Sequence, residues 1–115
     1  MDKSKLCAAL NVTPYGAFQV TNLRLLDWGG TMIFECLFDP GPSGDLVRFR
    51  LILRDCRDIQ WRVYAHLKPP DDQTLPTTQL VNIRLGDDNH RKPLNMLTDA
   101  FGITTSYGAL KIEKI

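Results

Sequence analysis

The chain lacks the motifs that mark most small enzymes. It has no glycine-rich phosphate loop, no GxSxG elbow and no HExxH pair, and only two histidines. Without a recognisable nucleophile and base, no catalytic residue and no cofactor is expected. Its cysteines, Cys7, Cys36 and Cys56, form no CxxC pair, which argues against a zinc knuckle or a thioredoxin-type motif and for reduced thiols with no metal. Long hydrophobic runs are missing too: none approaches the roughly 18 residues that a membrane helix needs. The opening MDKSKLCAALNVTP has too short an apolar stretch for a signal peptide, so a cytoplasmic protein is expected. Nor is there an excess of one charge. Fourteen basic against thirteen acidic residues leave a net charge of +1, so any attraction to nucleic acid or to a membrane must be local.

What is present suits an ordinary globular domain. At 115 residues, 43% of them hydrophobic, the chain is long enough for one core and is read as a single domain over residues 1–115. Residues 4–10 suggest a short helix ended by Asn11, Thr13, Pro14 and Gly16. From 17 to 28 Phe18 and Val20 alternate, and Leu23 and Leu25 then continue on the opposite parity, as in a strand bulged near Asn22. Trp28-Gly29-Gly30 signals a turn, after which Met32, Phe34, Cys36 and Phe38 alternate strictly. Residues 39–45, DPGPSGD, cannot continue a central strand. Strands follow at 46–54, with Val47, Phe49, Leu51 and Leu53 on one face, and at 59–67, with Ile59, Trp61 and Val63 on the same face, which is expected to be buried.

Pairing like faces sets Phe38 opposite Val47, Cys36 opposite Phe49 and Glu35 beside Arg50. Treating 46–54 and 59–67 as the next hairpin sets Leu53 opposite Ile59, Leu51 opposite Trp61, Arg50 opposite Arg62 and Arg48 opposite Tyr64. After a polar loop at 68–79, a fifth strand at 80–85 places Val81, Ile83 and Leu85 on one face. Pro93, the spacing of Leu94, Leu97, Ala100 and Phe101, and Gly102 as a stop predict a helix before one or two final strands at 103–107 and 109–115. The expected fold is α+β, a mainly antiparallel sheet of about six strands with one C-terminal helix. The alternative is a β-sandwich or barrel-like all-β domain with a short helix.

The feature that points furthest towards function is the outward face of the central strands, where Arg48, Arg50, Arg62, Tyr64 and His66 gather in a nearly neutral chain. Opposed arginines need compensation by Glu35, by another acid or by an external anion. Arginine and tyrosine are also favoured at binding hot spots. A second candidate is the turn His90, Arg91, Lys92 just ahead of the predicted helix, where free amides could help to hold an anion. The neighbouring Asp87-Asp88-Asn89 has no EF-hand spacing and reads as a solvated turn. The expected function is that of a non-enzymatic interaction protein, of accessory or immunity-like kind, that binds an acidic protein partner through the Arg/Tyr face. The alternatives are a nucleic-acid-binding sheet, in which Tyr64 stacks on a base, and a small enzyme acting at Cys56 or at the basic turn.

Overall fold

In the computed structural model the described residues are 2–12, 16–42, 44–64, 78–85 and 92–115. They form one short helix, α1 (Asp2–Leu10), and eight strands: β1 (Ala17–Leu26), β2 (Thr31–Asp39), β3 (Val47–Arg54), β4 (Arg57–Val63), β5 (Thr78–Arg84), β6 (Lys92–Thr98), β7 (Phe101–Tyr107) and β8 (Ala109–Lys114). All strand pairs are antiparallel, in the order β4-β7-β6-β5-β1-β2-β3-β8. The fold is therefore the all-β alternative. The α+β assignment with about six strands is corrected to eight strands and a single N-terminal α-helix among the described residues. No helix among the described residues is long and apolar enough to cross a membrane.

The first half of the sheet follows the sequence closely. β1 shifts register between Val20 and Asn22, where the alternation changes parity. Asn22 lends its side-chain oxygen to the Leu23 amide at 2.9 Å, which steadies the irregularity. β2 pairs with β3 as Phe38↔Val47, Cys36↔Phe49 and Glu35↔Arg50. Met32, Phe34, Cys36, Phe38, Phe49, Leu51 and Leu53 are all buried in the core. α1 buries Leu6, Cys7 and Leu10 in that core and lies against β5 and β8. It stops where Asn11 takes a left-handed φ of 57°. The Val12 amide then donates to the Cys7 carbonyl and the Asn11 amide to that of Ala8, a Schellman closure of the last turn.

The second half departs from expectation at three places. β3 and β4 do not fold into a hairpin. Arg54 pairs with Ala109 and Arg57 with Ser106, so both chains pass a corner together: β3 continues into β4 while β8 runs back into β7. Asp55 and Asp58, at φ 57° each, supply the bend. The link carries no Asn-Gly or Asp-Gly turn, the signal that a tight reversal favours. At the corner the Gly108 amide donates to the Arg54 carbonyl, and a Cβ on Gly108 would stand 3.1 Å from Asp55 Oδ2. Because β4 carries on from β3 and β8 from β7, the two ends of the strand order are tied together by the chain, and the sheet curls around a shared core.

The expected C-terminal helix is the strand β6 followed by a tight turn. Leu94, Met96 and Thr98 are buried while Pro93, Asn95 and Leu97 are exposed, a period of two that sequence spacing alone does not separate from a short helical stripe. Pro93 lies beyond Asn95, the last β6 residue paired with β5, so it interrupts no rung on that side. Thr98 makes the turn: its Oγ accepts from the amides of Ala100 and Phe101 at 3.2 and 3.0 Å. In β5 a register shift between Leu80 and Asn82 buries Leu80 with Ile83 and Leu85 and turns Val81 out to solvent, against its expected place beside them.

Candidate functional site

The arginines fall into two groups. On the β1–β2–β3–β8 side, Arg50 lies 3.8 Å from Glu35 and 3.7 Å from Glu113, and Arg24 lies 3.3 Å from Glu35. Glu35 thus answers the cation that pairs with it across the sheet, as the register predicts. Arg50 Nε is shielded from solvent without a hydrogen bond, so its carboxylate contacts act as charge pairs. Arg48 is exposed on the same strand, opposite Leu37. Neither Arg48 nor Arg50 shares a strand pair with β4, and the expected oppositions of Arg50 with Arg62 and of Arg48 with Tyr64 do not occur.

Arg62 and Tyr64 belong to a different surface, the outer face of β4–β7–β6–β5. Register builds that face in two rows. One row runs Arg62, Gly102, Leu97, Asn82 and the other Gln60, Thr104, Asn95, Arg84. Between them lies an open pocket of about 320 Å³, bordered by Arg62 and Tyr64 at one side, by Asn82 and Arg84 at the other, and floored by Asn95, Leu97, Gly102 and Thr104. Among the described residues no acidic side chain lines it. Among the described residues neither Arg62 nor Arg84 has an ion-pair partner, whereas Arg24, Arg50 and Arg57 each have one.

Gly102 shapes the pocket by what it omits. A Cβ there would stand 2.8 Å from the Tyr64 hydroxyl and 3.1 Å from the ring. The absence of a side chain lets the tyrosine lie across β7, where its backbone amide is held by the Ala100 carbonyl at 2.8 Å. Tyr64 remains 57% exposed.

The other face of β4 overturns a core assignment. Ile59, Trp61 and Val63, expected to be buried, are 38%, 45% and 67% exposed. They keep the parity of buried Ile103, but β4 ends the strand order and, among the described residues, no strand covers them. Trp61 stacks instead on Phe101, with ring centroids 4.5 Å apart and planes 12° from parallel. The other tryptophan, Trp28, is fully exposed in the turn Asp27–Gly29 at the tip of the β1–β2 hairpin.

The remaining sequence candidates are either buried or outside the described residues. Cys56 is buried rather than accessible, its thiol donating to the Leu53 carbonyl at 3.5 Å, so it offers no exposed thiolate. Burial pushes the Cys36 thiol up to about 12, with the neighbouring Glu35 carboxylate adding to the effect. His66, His90 and Arg91 lie outside the described residues, as do Asp87, Asp88 and Asn89 and the side chain of Lys92. Lys92 opens β6 by pairing with Tyr107, so the helix N-terminus invoked for an anion at that turn is replaced by a strand.

Of the residues around this pocket, the sequence singles out Arg62 and Tyr64 but not Arg84, Asn82, Asn95 or Thr104. The outward parity of Arg84 was legible, but its place across the pocket from Arg62 depends on β7 and β6 lying between them. That order is long-range information with no local signal. The chain matches no protein-family model, and no curated protein matches it.

Proposed function

We propose that the chain is a non-enzymatic interaction module that captures an acidic protein partner on the outer face of β4–β7–β6–β5, with Arg62 and Arg84 as the cationic contacts and Tyr64 as the aromatic one. One observation carries this reading: among the described residues, two arginines without ion-pair partners border a single pocket that no acid lines. A guanidinium satisfied by its own protein has little to offer a partner, whereas one held beside neutral hydrogen-bonding side chains can take a carboxylate at two points. Of the expected set Arg48, Arg50, Arg62, Tyr64 and His66, the reading keeps Arg62 and Tyr64 and adds Arg84; Arg50 is paired with acids, and Arg48 stands on β3 outside the pocket.

The test uses labelled poly-Glu as an acidic surface and poly-rU as a single-stranded nucleic acid, each titrated at two salt concentrations. Arg62→Glu with Arg84→Glu should weaken poly-Glu binding at least about tenfold, and Arg48→Glu should leave it nearly unchanged. Unaltered poly-Glu binding by the folded double variant would overturn the reading. Tighter binding of poly-rU with a steep salt slope would instead favour a nucleic-acid sheet.

A further inference from the structure

We infer that the acidic element taken by this pocket is an extended segment with carboxylates at alternate residues, acid-x-acid, reaching Arg62 with one and Arg84 with the other. The inference rests on the reading that the pocket receives an acidic partner, and it adds the partner's shape. Arg62 and Arg84 stand on the two outermost strands of the four, with β7 and β6 between them. Neighbouring strands lie about 4.8 Å apart, so three spacings and the two-residue offset between their rows separate their backbones by about 16 Å. Both side chains border the same pocket, so each closes part of that distance. One carboxylate, whose oxygens are roughly 2 Å apart, would meet both guanidiniums only if each lay flat along the sheet. Two carboxylates on residues i and i+2 of an extended chain are about 7 Å apart and point the same way, which suits two arginines leaning inward from opposite sides.

The floor supports a peptide rather than a bare dianion. Asn95 and Thr104 pair across β6 and β7 in the row of Arg84, and neither side chain has a hydrogen bond among the described residues. Asn82 spends its oxygen on the Ile83 amide at 2.9 Å and keeps its NH₂. These neutral groups match the alternating N–H and C=O of an extended backbone without adding charge. Tyr64 fills the space over Gly102 and closes one side of the pocket with an aromatic wall against which an extended backbone can lie. A pocket of about 320 Å³ is at the small end of ligand sites, roughly 300–1,000 Å³, which fits a few residues and not a folded element.

Three labelled peptides of one composition test this by fluorescence polarisation: acetyl-Ser-Glu-Ser-Glu-Ser, acetyl-Ser-Glu-Glu-Ser-Ser and acetyl-Ser-Glu-Ser-Ser-Glu. The first should bind at least about tenfold tighter than the other two. Arg62→Gln or Arg84→Gln alone should bring it down to their level, because a bridged ligand loses its advantage with either end. Equal binding of the three isomers would overturn the spacing, and retained poly-Glu binding would show that the broader reading survives it. Free glutarate competing at the same concentration as the first peptide would also overturn the peptide assignment, since recognition would then need only the carboxylate pair. Loss of both poly-Glu and peptide dependence on Arg62 and Arg84 would remove the broader reading as well.

Discussion

β3 and β4 carry the same alternating pattern and have opposite fates. Phe49, Leu51 and Leu53 of β3 are almost fully buried, and Arg50 on its other face is answered by Glu35 and Glu113. On β4 every residue is exposed, Trp61 stacks on Phe101, and Arg62 has no carboxylate beside it among the described residues. The difference is one of position. β3 lies between β2 and β8, while β4 pairs with β7 alone. Alternation establishes that a strand has two faces; it does not establish that both faces will be covered. The availability of an arginine follows the same rule, because it depends on which strands bring acids alongside.

The largest effect that would break this comparison is on stability. Phe49→Ala should cost about 3–5 kcal/mol in urea denaturation, the usual range for emptying a packed aromatic site, whereas Trp61→Ala should cost about 1 kcal/mol from the lost stacking. Equal losses would mean that β4 is as buried as β3.

A second test sharpens the core side through pH. The folded Cys36 thiol holds its proton to about 12, against an ordinary value of 9.0 that the unfolded chain recovers. Above pH 9 the unfolded state therefore binds fewer protons than the folded one, and stability falls with rising pH until about 12. By pH 10.5 the loss is about 2 kcal/mol. Cys36→Ala should flatten the difference in denaturation midpoint between pH 8 and pH 10.5 relative to the parent. An unchanged slope would place the thiol in contact with solvent.

The smallest effect separates the two kinds of arginine. Arg50→Ala should destabilise by about 0.5–1 kcal/mol, since its pairs are partly exposed, and Arg62→Ala should change stability by less than about 0.5 kcal/mol. A larger cost at Arg62 would show that it is structural and would weaken its role in partner capture.

How much of this was legible in the sequence follows the range of the information needed. The bulge at Val20/Asn22, the face of Met32 to Phe38 and the Glu35–Arg50 opposition were all readable, because they depend on alternation and a single hairpin. The β3–β4 relation was not. A two-residue link can reverse a chain or bend it, and what decides is whether residues 106–109 run alongside, some fifty positions away. The C-terminal helix failed for a related reason. Leu94, Leu97, Ala100 and Phe101 satisfy a helical stripe, yet Leu94, Met96 and Thr98 satisfy a strand equally well, and pairing with both β5 and β7 settles the contest. The candidate site was half readable: outward parity identifies Arg62 and Tyr64 as available, while Arg84 becomes their counterpart only through strand order.

The bent pair formed by β3–β4 and β7–β8 also bears on the order of events as the chain is made. Residues 47–63 spend the synthesis of nearly forty more residues without the strand that flanks them on that side, because that strand is residues 101–114. At about 5–20 residues per second the wait is a few seconds, long compared with the microseconds in which a local hairpin closes. During it, β1 and β2 can pair with β3, but Trp61 and its neighbours have no Phe101 to rest on. The nascent chain therefore passes through a stage in which one sheet edge and its apolar side chains stand open, and this is where a chaperone, or a second nascent copy, would first find it.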